Sequence, residues 1–191
     1  MFITKTIRGM ILVKGKDDTY NTPTGQSSRW KHWMTEQDPK VCSVCEALQG
    51  KIYSLYEDAA PAPPLHSNCR CKIAVMKSVI AGFGTKDGIN GADWWLKHNG
   101  RLPDYYISWD DLYARGHKYA KPPRQKAPGM MIYGGEYDNE NGHLPSVPGR
   151  TWYEADINYY EGHRNNHRIV WSNDGLIFVT YDHYHTFYEI I

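Results

Sequence analysis

The sequence of 191 residues lacks several features that define large classes of protein. No apolar run approaches the roughly 18–20 residues that a membrane-spanning helix needs, which argues against an integral membrane protein. The opening residues, MFITKTIRGMILVKGK, contain no small-residue cleavage site, so we identify no classical signal peptide there. No HExxH motif is present, which argues against a metal-dependent hydrolase of that class. Neither sign of charge is in excess, since 22 Lys and Arg residues nearly balance 21 Asp and Glu residues.

The chain divides into two parts of different composition. Residues 1–91 contain 12 Lys and Arg against 8 Asp and Glu, whereas residues 92–191 contain 10 against 13. All four cysteines lie in the first part, and seven of the nine histidines lie in the second. A glycine-rich run, VIAGFGTKDGINGAD, joins the two and is typical of a connector. The predicted organisation is an extended lead-in at 1–28, a cysteine-rich segment at 29–78, a linker at 79–91 and a folded domain at 92–191.

The pattern of the second part predicts helices followed by strands. ADWWLKHNG (92–100) and SWDDLYARG (108–116) each end in a glycine, and Ser108 is a suitable N-cap. After residue 129 the chain is rich in aromatic and β-branched residues, with turn signals between the apolar runs. The predicted strands are 131–137, 150–157, 168–172, 176–181 and 186–190. Helices that precede an antiparallel meander define an α+β domain.

The cysteines occur in two close pairs. Cys42 and Cys45 form a CxxC pattern, and Cys69 and Cys71 form a CxC pattern 24 residues later, with His66 just upstream. Four thiolates at such spacings suit a tetrahedral zinc ion, which would stabilise a segment too short and proline-rich for a core of its own. Two disulfides or four reduced structural thiols are the alternatives that the spacing leaves open.

This cysteine-rich run resembles a known family. Within residues 30–73, WKHWMTEQDPKVCSVCEALQGKIY and PPLHSNCRCKI contain a tryptophan, a CxxC pair, PPxH and CRC in the order found in phage head-morphogenesis (Mu F-like) minor head proteins. Similar segments precede the toxic domain in bacterial polymorphic toxins. The resemblance implies packaging or delivery and assigns no chemistry to the segment.

The second part contains the side chains that RNA cleavage requires. The 2′-hydroxyl of RNA is a built-in nucleophile, so the reaction needs a base, an acid and cations near the phosphate, and it can proceed without a metal ion. Alternation along TWYEADINYY places Glu154 and Asp156 on one strand face. Arg164 and Arg168 follow in and after the next turn, and His183 lies in a later turn. These residue types are also common on solvated surfaces, so the pattern alone predicts no more than a soluble α+β domain.

Three blocks of the second part closely resemble the barnase-type microbial ribonucleases. The blocks are ADWWLKHNGRLPDYYIS, GGEYDNENGHLP and GRTWYEADINYYEGHRNNHRIVWSNDGLIFVTYDHYHTF. The resemblance covers essentially all of residues 92–191, in order. It implies the fold of that family, an α+β unit in which N-terminal helices pack on a five-stranded antiparallel sheet.

The resemblance also implies roles for individual residues. Glu154 corresponds to the general base and His183 to the general acid, while Arg164 and Arg168 correspond to the residues that hold the scissile phosphate. Single-stranded RNA would be cleaved internally to a 2′,3′-cyclic phosphate without a cofactor, and DNA would not be cleaved because it lacks the nucleophile. The further substrate-binding residues that the resemblance implies are Arg150, Tyr184, Tyr137, Asn139 and Glu140.

The chain departs from the family pattern at two places. Trp109 stands where the pattern has a lysine, so one cation that would face the phosphate is missing. Loss of one such charge-stabilising donor typically raises the barrier by about 2.7–4 kcal/mol. The base-recognition loop has the sequence YDNENG (137–142), with its acidic residue one place earlier than in the pattern. The preference that the resemblance implies at this loop is for purines, and guanine in particular.

The two resemblances together imply a biological setting. A ribonuclease module behind a phage-head-like segment predicts the toxic C-terminal part of a bacterial or prophage toxin. Such a toxin would be secreted or delivered out of the producing cell and would act in the cytoplasm of a target cell. The producing cell would need a barstar-like immunity protein with acidic groups facing Arg164, Arg168 and His183. The alternative function is a non-catalytic phage-structural or interaction protein with a degraded ribonuclease-like module.

Overall fold

The computed structural model describes residues 11–14, 21–36, 38–159 and 162–191. The elements of the first part are β1 (Ile11–Lys14), β2 (Asn21–Met34), α1 (Ser43–Glu46), β3 (Ile52–Ser54) and β4 (Lys72–Val79). Strand β2 is antiparallel to β1, β3 and β4. Of the lead-in predicted at 1–28, residues 1–10 and 15–20 lie outside the described residues, and its last residues belong to β2. The division of the chain into domains stays a prediction.

The second part contains the helices and strands that its sequence predicts, together with one additional strand. The elements are α2 (Ala92–Asn99), β5 (Tyr106–Ser108), α3 (Trp109–Ala114), β6 (Met131–Tyr137), β7 (Trp152–Asp156), β8 (Arg168–Ser172), β9 (Ile177–Thr180) and β10 (Tyr188–Ile190). Gly100 adopts a left-handed conformation (φ 67°) after α2. The Ser108 hydroxyl accepts a hydrogen bond from the Asp111 N–H at 3.1 Å and caps α3. Within the described residues, α2 is the longest helix at eight residues, and no helix there is long and apolar enough to cross a membrane.

One mixed sheet runs through both parts of the chain. Nine strands lie in the order β1-β2-β4-β10-β9-β8-β7-β6-β5, and β3 pairs with β2 beside them. The five predicted strands, β6 to β10, are antiparallel neighbours. The prediction of a five-stranded antiparallel sheet is nevertheless wrong, because β4 pairs with β10 and β5 pairs with β6, both in parallel. Each added strand satisfies backbone N–H and C=O groups that would otherwise be unpaired at a sheet edge.

Apolar cores cover both faces of the sheet. On one face, Leu96 of α2 packs against strand residues that include Ile169. On the other face, Ile52 and Met76 from the first part pack with Phe178 and its neighbours from the second. Burial of one large apolar side chain contributes about 1.5–3 kcal/mol. The cysteine-rich segment is therefore packed against the second part on this second face of the sheet.

The glycine-rich connection before α2 is held by one buried carboxylate. Asp93, in the first turn of α2, is fully buried and accepts three hydrogen bonds. Its donors are the backbone N–H groups of Gly82 and Gly84 and the hydroxyl of Thr85, at 2.7, 2.8 and 2.8 Å. These bonds determine where the chain turns from β4 into the second part. The assignment of residues 79–91 as a linker between domains stays a prediction.

Candidate active site

Glu154 lies in the middle of β7, on the face that also carries the buried Trp152 and Asp156. In register it faces Gly135 of β6. A Cβ atom at the preceding Gly134 would lie 2.7 Å from Glu154 Oε1 and 2.8 Å from its Cγ. Strand β6 therefore needs a glycine at this place for the Glu154 carboxylate to occupy its position. The sequence shows this glycine but contains no local signal for its cross-strand neighbour.

A second carboxylate on β7 holds two arginines. Asp156 is 1% exposed and accepts hydrogen bonds from Nε and Nη2 of Arg164, both at 2.6 Å. Arg168 Nε lies 3.1 Å from Asp156 Oδ1, and Arg168 Nη1 also donates to two backbone carbonyls. Because Asp156 lies two residues from Glu154 on the same strand face, both guanidinium groups are held on the side of the strand that carries Glu154. Asp156 is not among the site residues predicted from the sequence, although the alternation along β7 places it on this face.

Trp109, the first residue of α3, lies against Arg164. The guanidinium carbon of Arg164 is 5.0 Å from the centre of the indole ring, which is within the range of a cation–π interaction. The position where the family pattern has a lysine therefore carries an aromatic ring in contact with one of the two arginines. Asp156 and Trp109 contact Arg164 together, while its side chain remains 30% exposed.

His183 and Tyr184 lie in the turn between β9 and β10. Both have left-handed backbone conformations, with φ values of 56° and 73°. The Tyr184 N–H donates to the hydroxyl of Thr180 at 3.0 Å, which helps to hold this turn. The Tyr184 hydroxyl donates a hydrogen bond to Oε2 of Glu154. This bond joins the turn that carries His183 to the strand that carries Glu154.

Burial and neighbouring groups shift the pKa values of His183 and Tyr184. Partial burial lowers the pKa of His183, as does the positive charge of Arg168, against the opposing effect of Glu154. Burial also raises the pKa of the Tyr184 hydroxyl, together with its hydrogen bond to Glu154. Tyr184 is therefore a neutral hydrogen-bond donor at physiological pH. The charges of Glu154 and Arg168 both act on His183, so these groups form one electrostatic cluster.

The base-recognition loop predicted at 137–142 contacts the same cluster at one end. The rings of Tyr137 and Tyr184 are stacked, with centres 5.3 Å apart and 27° between their planes. Asn139 organises the loop, because its side chain accepts from the Leu144 N–H at 2.9 Å and donates to the Leu144 carbonyl at 3.0 Å. Glu140 is exposed. Of the three residues predicted to bind a base, Tyr137 is thus the one in contact with the cluster.

The Arg150 side chain is hydrogen-bonded to other residues of the protein. Its Nε and Nη2 donate to the Asp174 carboxylate at 2.7 to 3.0 Å, and its Nη1 donates to the Pro145 carbonyl at 2.8 Å. The Arg150 side chain therefore ties the loop before β7 to the turn after β8. Its role in supporting the substrate site stays a prediction.

The four cysteines come together in the first part, and His66 joins them. Cys42 is the N-cap of α1, the helix that contains Cys45. Nε2 of His66 lies 3.2 Å from the Cys42 sulfur and 3.3 Å from the Cys45 sulfur. Two overlapping groups of side chains have the geometry to hold a metal ion, namely Cys42, Cys45 and His66, and Cys45, Cys69 and Cys71.

The distances in this cluster fit a structural zinc site. Two thiolates on one tetrahedral zinc ion, with bonds near 2.3 Å, are about 3.8 Å apart, and the Cys45 and Cys69 sulfurs are separated by 3.8 Å. A disulfide would bring two sulfurs to about 2.05 Å. Nδ1 of His66 lies 2.8 Å from the Ser67 carbonyl, so Nδ1 donates and Nε2 is left to face the sulfurs. This arrangement is typical of a metal-binding histidine, and the spacing pattern of the cysteines did not reveal it.

Comparison with known proteins places residues 96–191 in a family described as ribonuclease, whose model matches this range. The chain is 42% identical over 130 residues to a ribonuclease of Bacillus pumilus, covering 66% of this chain and 78% of that protein. It is 46% identical over 112 residues to a ribonuclease of Bacillus intermedius, covering 58% and 67%. It is also 46% identical over 111 residues to a ribonuclease of Heyndrickxia coagulans, covering 58% of this chain and 99% of that protein.

Proposed function

This chain belongs to the ribonuclease family, and we propose that it is an endoribonuclease that cleaves single-stranded RNA by transesterification to a 2′,3′-cyclic phosphate. The observation that carries the proposal is the hydrogen bond from Tyr184 to Glu154, because it joins a strand carboxylate to the turn of His183. Two arginines bound to Asp156 lie on the same strand face. A base, an acid and cations are the groups that this reaction requires.

In the proposed mechanism Glu154 is the general base. Its carboxylate takes the proton of the 2′-hydroxyl while the 2′-oxygen forms a bond to the adjacent phosphorus. The bond from phosphorus to the 5′-oxygen breaks, and the His183 imidazolium donates its proton to that oxygen. One fragment then ends in a 2′,3′-cyclic phosphate and the other begins with a 5′-hydroxyl. Arg164 and Arg168 stabilise the charge that develops on the phosphate oxygens.

The falling limb of the pH profile is expected to follow His183. The acid role needs the protonated imidazole, which is lost as the pH rises through its pKa, and burial together with Arg168 lowers that pKa below 6.5. We therefore expect kcat/KM to fall as the pH rises, with the midpoint of this fall below pH 6.5. A bound phosphate adds negative charge beside His183, so the decline of kcat should occur at a higher pH. A profile of both constants in which kcat/KM declines only above pH 6.5 would contradict the assignment of His183.

Gly134→Ala is expected to lower kcat by up to about 10²-fold, the effect of moving a reacting group by about 1 Å. The three heavy atoms nearest to the added Cβ all belong to the Glu154 side chain, so Glu154 is the site residue that has to move first. KM should therefore change less than kcat. A cooperative thermal unfolding transition of the variant would show that it is folded. A folded variant with the kcat of the parent would show that the position of Glu154 does not matter.

The base-recognition loop supports a proposed preference for purines, and guanine in particular. The ring of Tyr137 is stacked on that of Tyr184 and would stack on a base, and the exposed carboxylate of Glu140 would accept hydrogen bonds from guanine. Comparison of kcat/KM on dinucleotide substrates that differ in the base before the cleaved bond tests this preference.

We also propose that the cysteine cluster binds one structural zinc ion. Cys42, Cys45, Cys69 and Cys71 are the ligands predicted from the sequence. The contacts of His66 make it a fifth possible ligand, whereas a structural zinc ion binds four. A bound zinc ion would link the two cysteine pairs and stabilise the segment between them. It would take no part in the cleavage reaction.

Native mass spectrometry of the full chain is expected to show one bound zinc ion, and removal of zinc with a chelator should lower Tm. Cys45→Ser should abolish binding, since Cys45 belongs to both metal-binding groups. His66→Asn and Cys71→Ser identify the fourth ligand by which of them weakens zinc binding. Asp58→Asn, an exposed change in the same segment, is the control. An intact mass that shows disulfides and no zinc would contradict the proposal.

We propose a toxin role for the chain, secreted or delivered from the producing cell and neutralised there by a barstar-like immunity protein. The resemblance of residues 30–73 to phage head-morphogenesis proteins supports this setting, and the arginines beside Glu154 suit an acidic inhibitor. Expression of the full chain alone should then be toxic, whereas the Glu154→Ala variant should be tolerated. Equal tolerance of both, with no RNA cleavage, would favour the non-catalytic phage-structural alternative.

A further inference from the structure

The segment of residues 47–52, which runs from the end of α1 to the first residue of β3 and is called the bracing loop below, makes contacts at both loops of the candidate site. One contact reaches the turn that carries His183 and Tyr184, and the other reaches the end of the base-recognition loop. The bracing loop belongs to the cysteine-rich segment and lies outside residues 96–191, which the family model matches. Its contacts therefore give the cleft loops a support from residues that the family model does not match.

The contact with the His183 turn is made by Gln49 and Gly50. Gln49 is 7% exposed, and its Nε2 donates to the backbone carbonyl of His185 at 3.1 Å. Its Oε1 accepts from the N–H and hydroxyl of Thr35, at 2.7 and 2.9 Å, so the amide is fixed at both ends. Gly50 has a φ of 83°, and a Cβ there would lie 2.5 Å from the same carbonyl of His185. The backbone of the bracing loop is thus pressed against the residue that follows Tyr184.

The contact at the base-recognition loop is made through His143, which directly follows the last residue of that loop, Gly142. The Ile52 N–H donates to the His143 carbonyl at 2.8 Å, and Nε2 of His143 donates to the Ala47 carbonyl at 2.8 Å. The next residue, Leu144, is the one whose backbone is held by the Asn139 side chain. The bracing loop therefore holds, through two hydrogen bonds, the residue that directly follows the base-recognition loop.

The bracing loop is attached directly to the cysteine cluster. It begins two residues after Cys45, and the Leu48 N–H donates to the Cys45 carbonyl at 3.2 Å. Leu48 also packs in the apolar group around the cysteines, together with Trp33. The cysteine cluster and residues 47–52 are therefore joined through one turn of backbone and one apolar contact group.

We propose that the bracing loop positions both cleft loops, with Gln49 as a positioning residue, and that zinc at the cysteine cluster increases the order of the cleft. The inference rests on the proposed function for its effect on activity, but not for its effect on the order of the loops. Zinc would thus regulate a ribonuclease whose chemistry does not use it.

The test uses the full chain, loaded with zinc or stripped with a chelator, as the parent and as Gln49→Glu. The glutamate retains the oxygen that accepts from Thr35 and removes the N–H donor to His185 when measured at about pH 8, where the carboxyl is ionised. Asp58→Asn is the control, the reverse exchange of carboxylate and amide on the exposed surface of the same segment. Hydrogen exchange of peptides covering 181–188 and 139–146 reports the order of the loops, and kcat and KM on RNA are measured in parallel.

Zinc removal should speed exchange about five- to tenfold in both loops of the parent and lower kcat more than it raises KM. Gln49→Glu should speed exchange in 181–188 even with zinc bound, and that peptide should then respond little to its removal. Peptides from β8 should be unaffected, which shows that the variant is folded.

Three results would overturn the proposal. The first is that hydrogen exchange in both loops of the parent does not respond to zinc. The second is that the cysteine cluster binds no zinc. The third is that Gln49→Glu shows the same exchange as Asp58→Asn. The comparison of loaded and stripped parent needs no variant, so it decides even if Gln49→Glu fails to fold. A parent without activity on RNA would reject the proposed function, while the exchange data would still decide whether the bracing loop positions the cleft.

Discussion

Glu154→Gln is expected to lower kcat for RNA cleavage by about 10²–10⁴-fold, the usual contribution of a positioned general base. The amide has the size of the carboxylate and still offers an oxygen to the Tyr184 hydroxyl, so the local structure should be retained. It is unable to take the proton of the 2′-hydroxyl. KM should change little, because Arg164 and Arg168 remain in place. The rate is measured on a fluorescent single-stranded RNA oligonucleotide.

Glu136→Gln is the matched control for this change. Glu136 is an exposed carboxylate on the neighbouring strand β6, where it is paired with Tyr153 rather than with Glu154. The same exchange at this position should leave kcat at the parent value. Parental activity of Glu154→Gln, or equal loss in both variants, would reject Glu154 as the base.

Asp156→Asn is expected to lower the free energy of unfolding by about 3–5 kcal/mol, the cost of breaking a buried ion pair from one side. Asp156 is 1% exposed and binds both Arg164 and Arg168. An amide leaves two guanidinium groups without their carboxylate. The same change should lower kcat, because neither arginine is then held beside Glu154. Urea unfolding of parent and variant gives the free energies.

Asp174→Asn provides the comparison for this second prediction. Asp174 pairs with Arg150 through hydrogen bonds of similar length, but its side chain is 45% exposed. Exposed ion pairs contribute about 0.2–1 kcal/mol, so this variant should lose far less stability than Asp156→Asn and should retain kcat. Equal losses in the two variants would contradict the importance of burial at Asp156.

Local sequence signals predicted the helices and the central strands. Gly100 and Ser108 act within one turn of the helix ends that they define, and the strands β6 to β10 each have their own apolar pattern. The size of the sheet was not predictable in this way. The pairing of β4 with β10 joins Ser78 to Glu189, and no local pattern specifies a partner so distant in the sequence.

The candidate site shows the same division. The sequence predicts roles for Glu154 and His183 because they stand in long motifs that resemble a known family, and these roles stay predictions. Asp156 and Gly134 were not predicted, since their roles depend on neighbours across the strand and in the next turn. His66 likewise becomes a metal-ligand candidate only when the fold brings it to the two cysteines of α1.

The sequence predicts the cysteine-rich segment as a separate unit of the chain, and the structure shows contacts from this segment to the cleft. Composition distinguishes the two parts clearly, because cysteines and charge are distributed unevenly. It does not reveal that Ile52 and Met76 join the core beneath β9, or that Gln49 reaches His185. Such contacts follow from packing of complementary surfaces, which no single segment encodes.

The most direct test of the central claim is the chemical identity of the cleaved ends. The full chain is incubated with a single-stranded RNA oligonucleotide, and with a copy that carries one 2′-deoxy nucleotide at the main cleavage position. We expect cleavage of the first to a 2′,3′-cyclic phosphate and a 5′-hydroxyl, and no cleavage of the second at that position, because the attacking oxygen is missing. Cleavage of both substrates, or fragments that begin with a 5′-phosphate, would contradict the proposed mechanism.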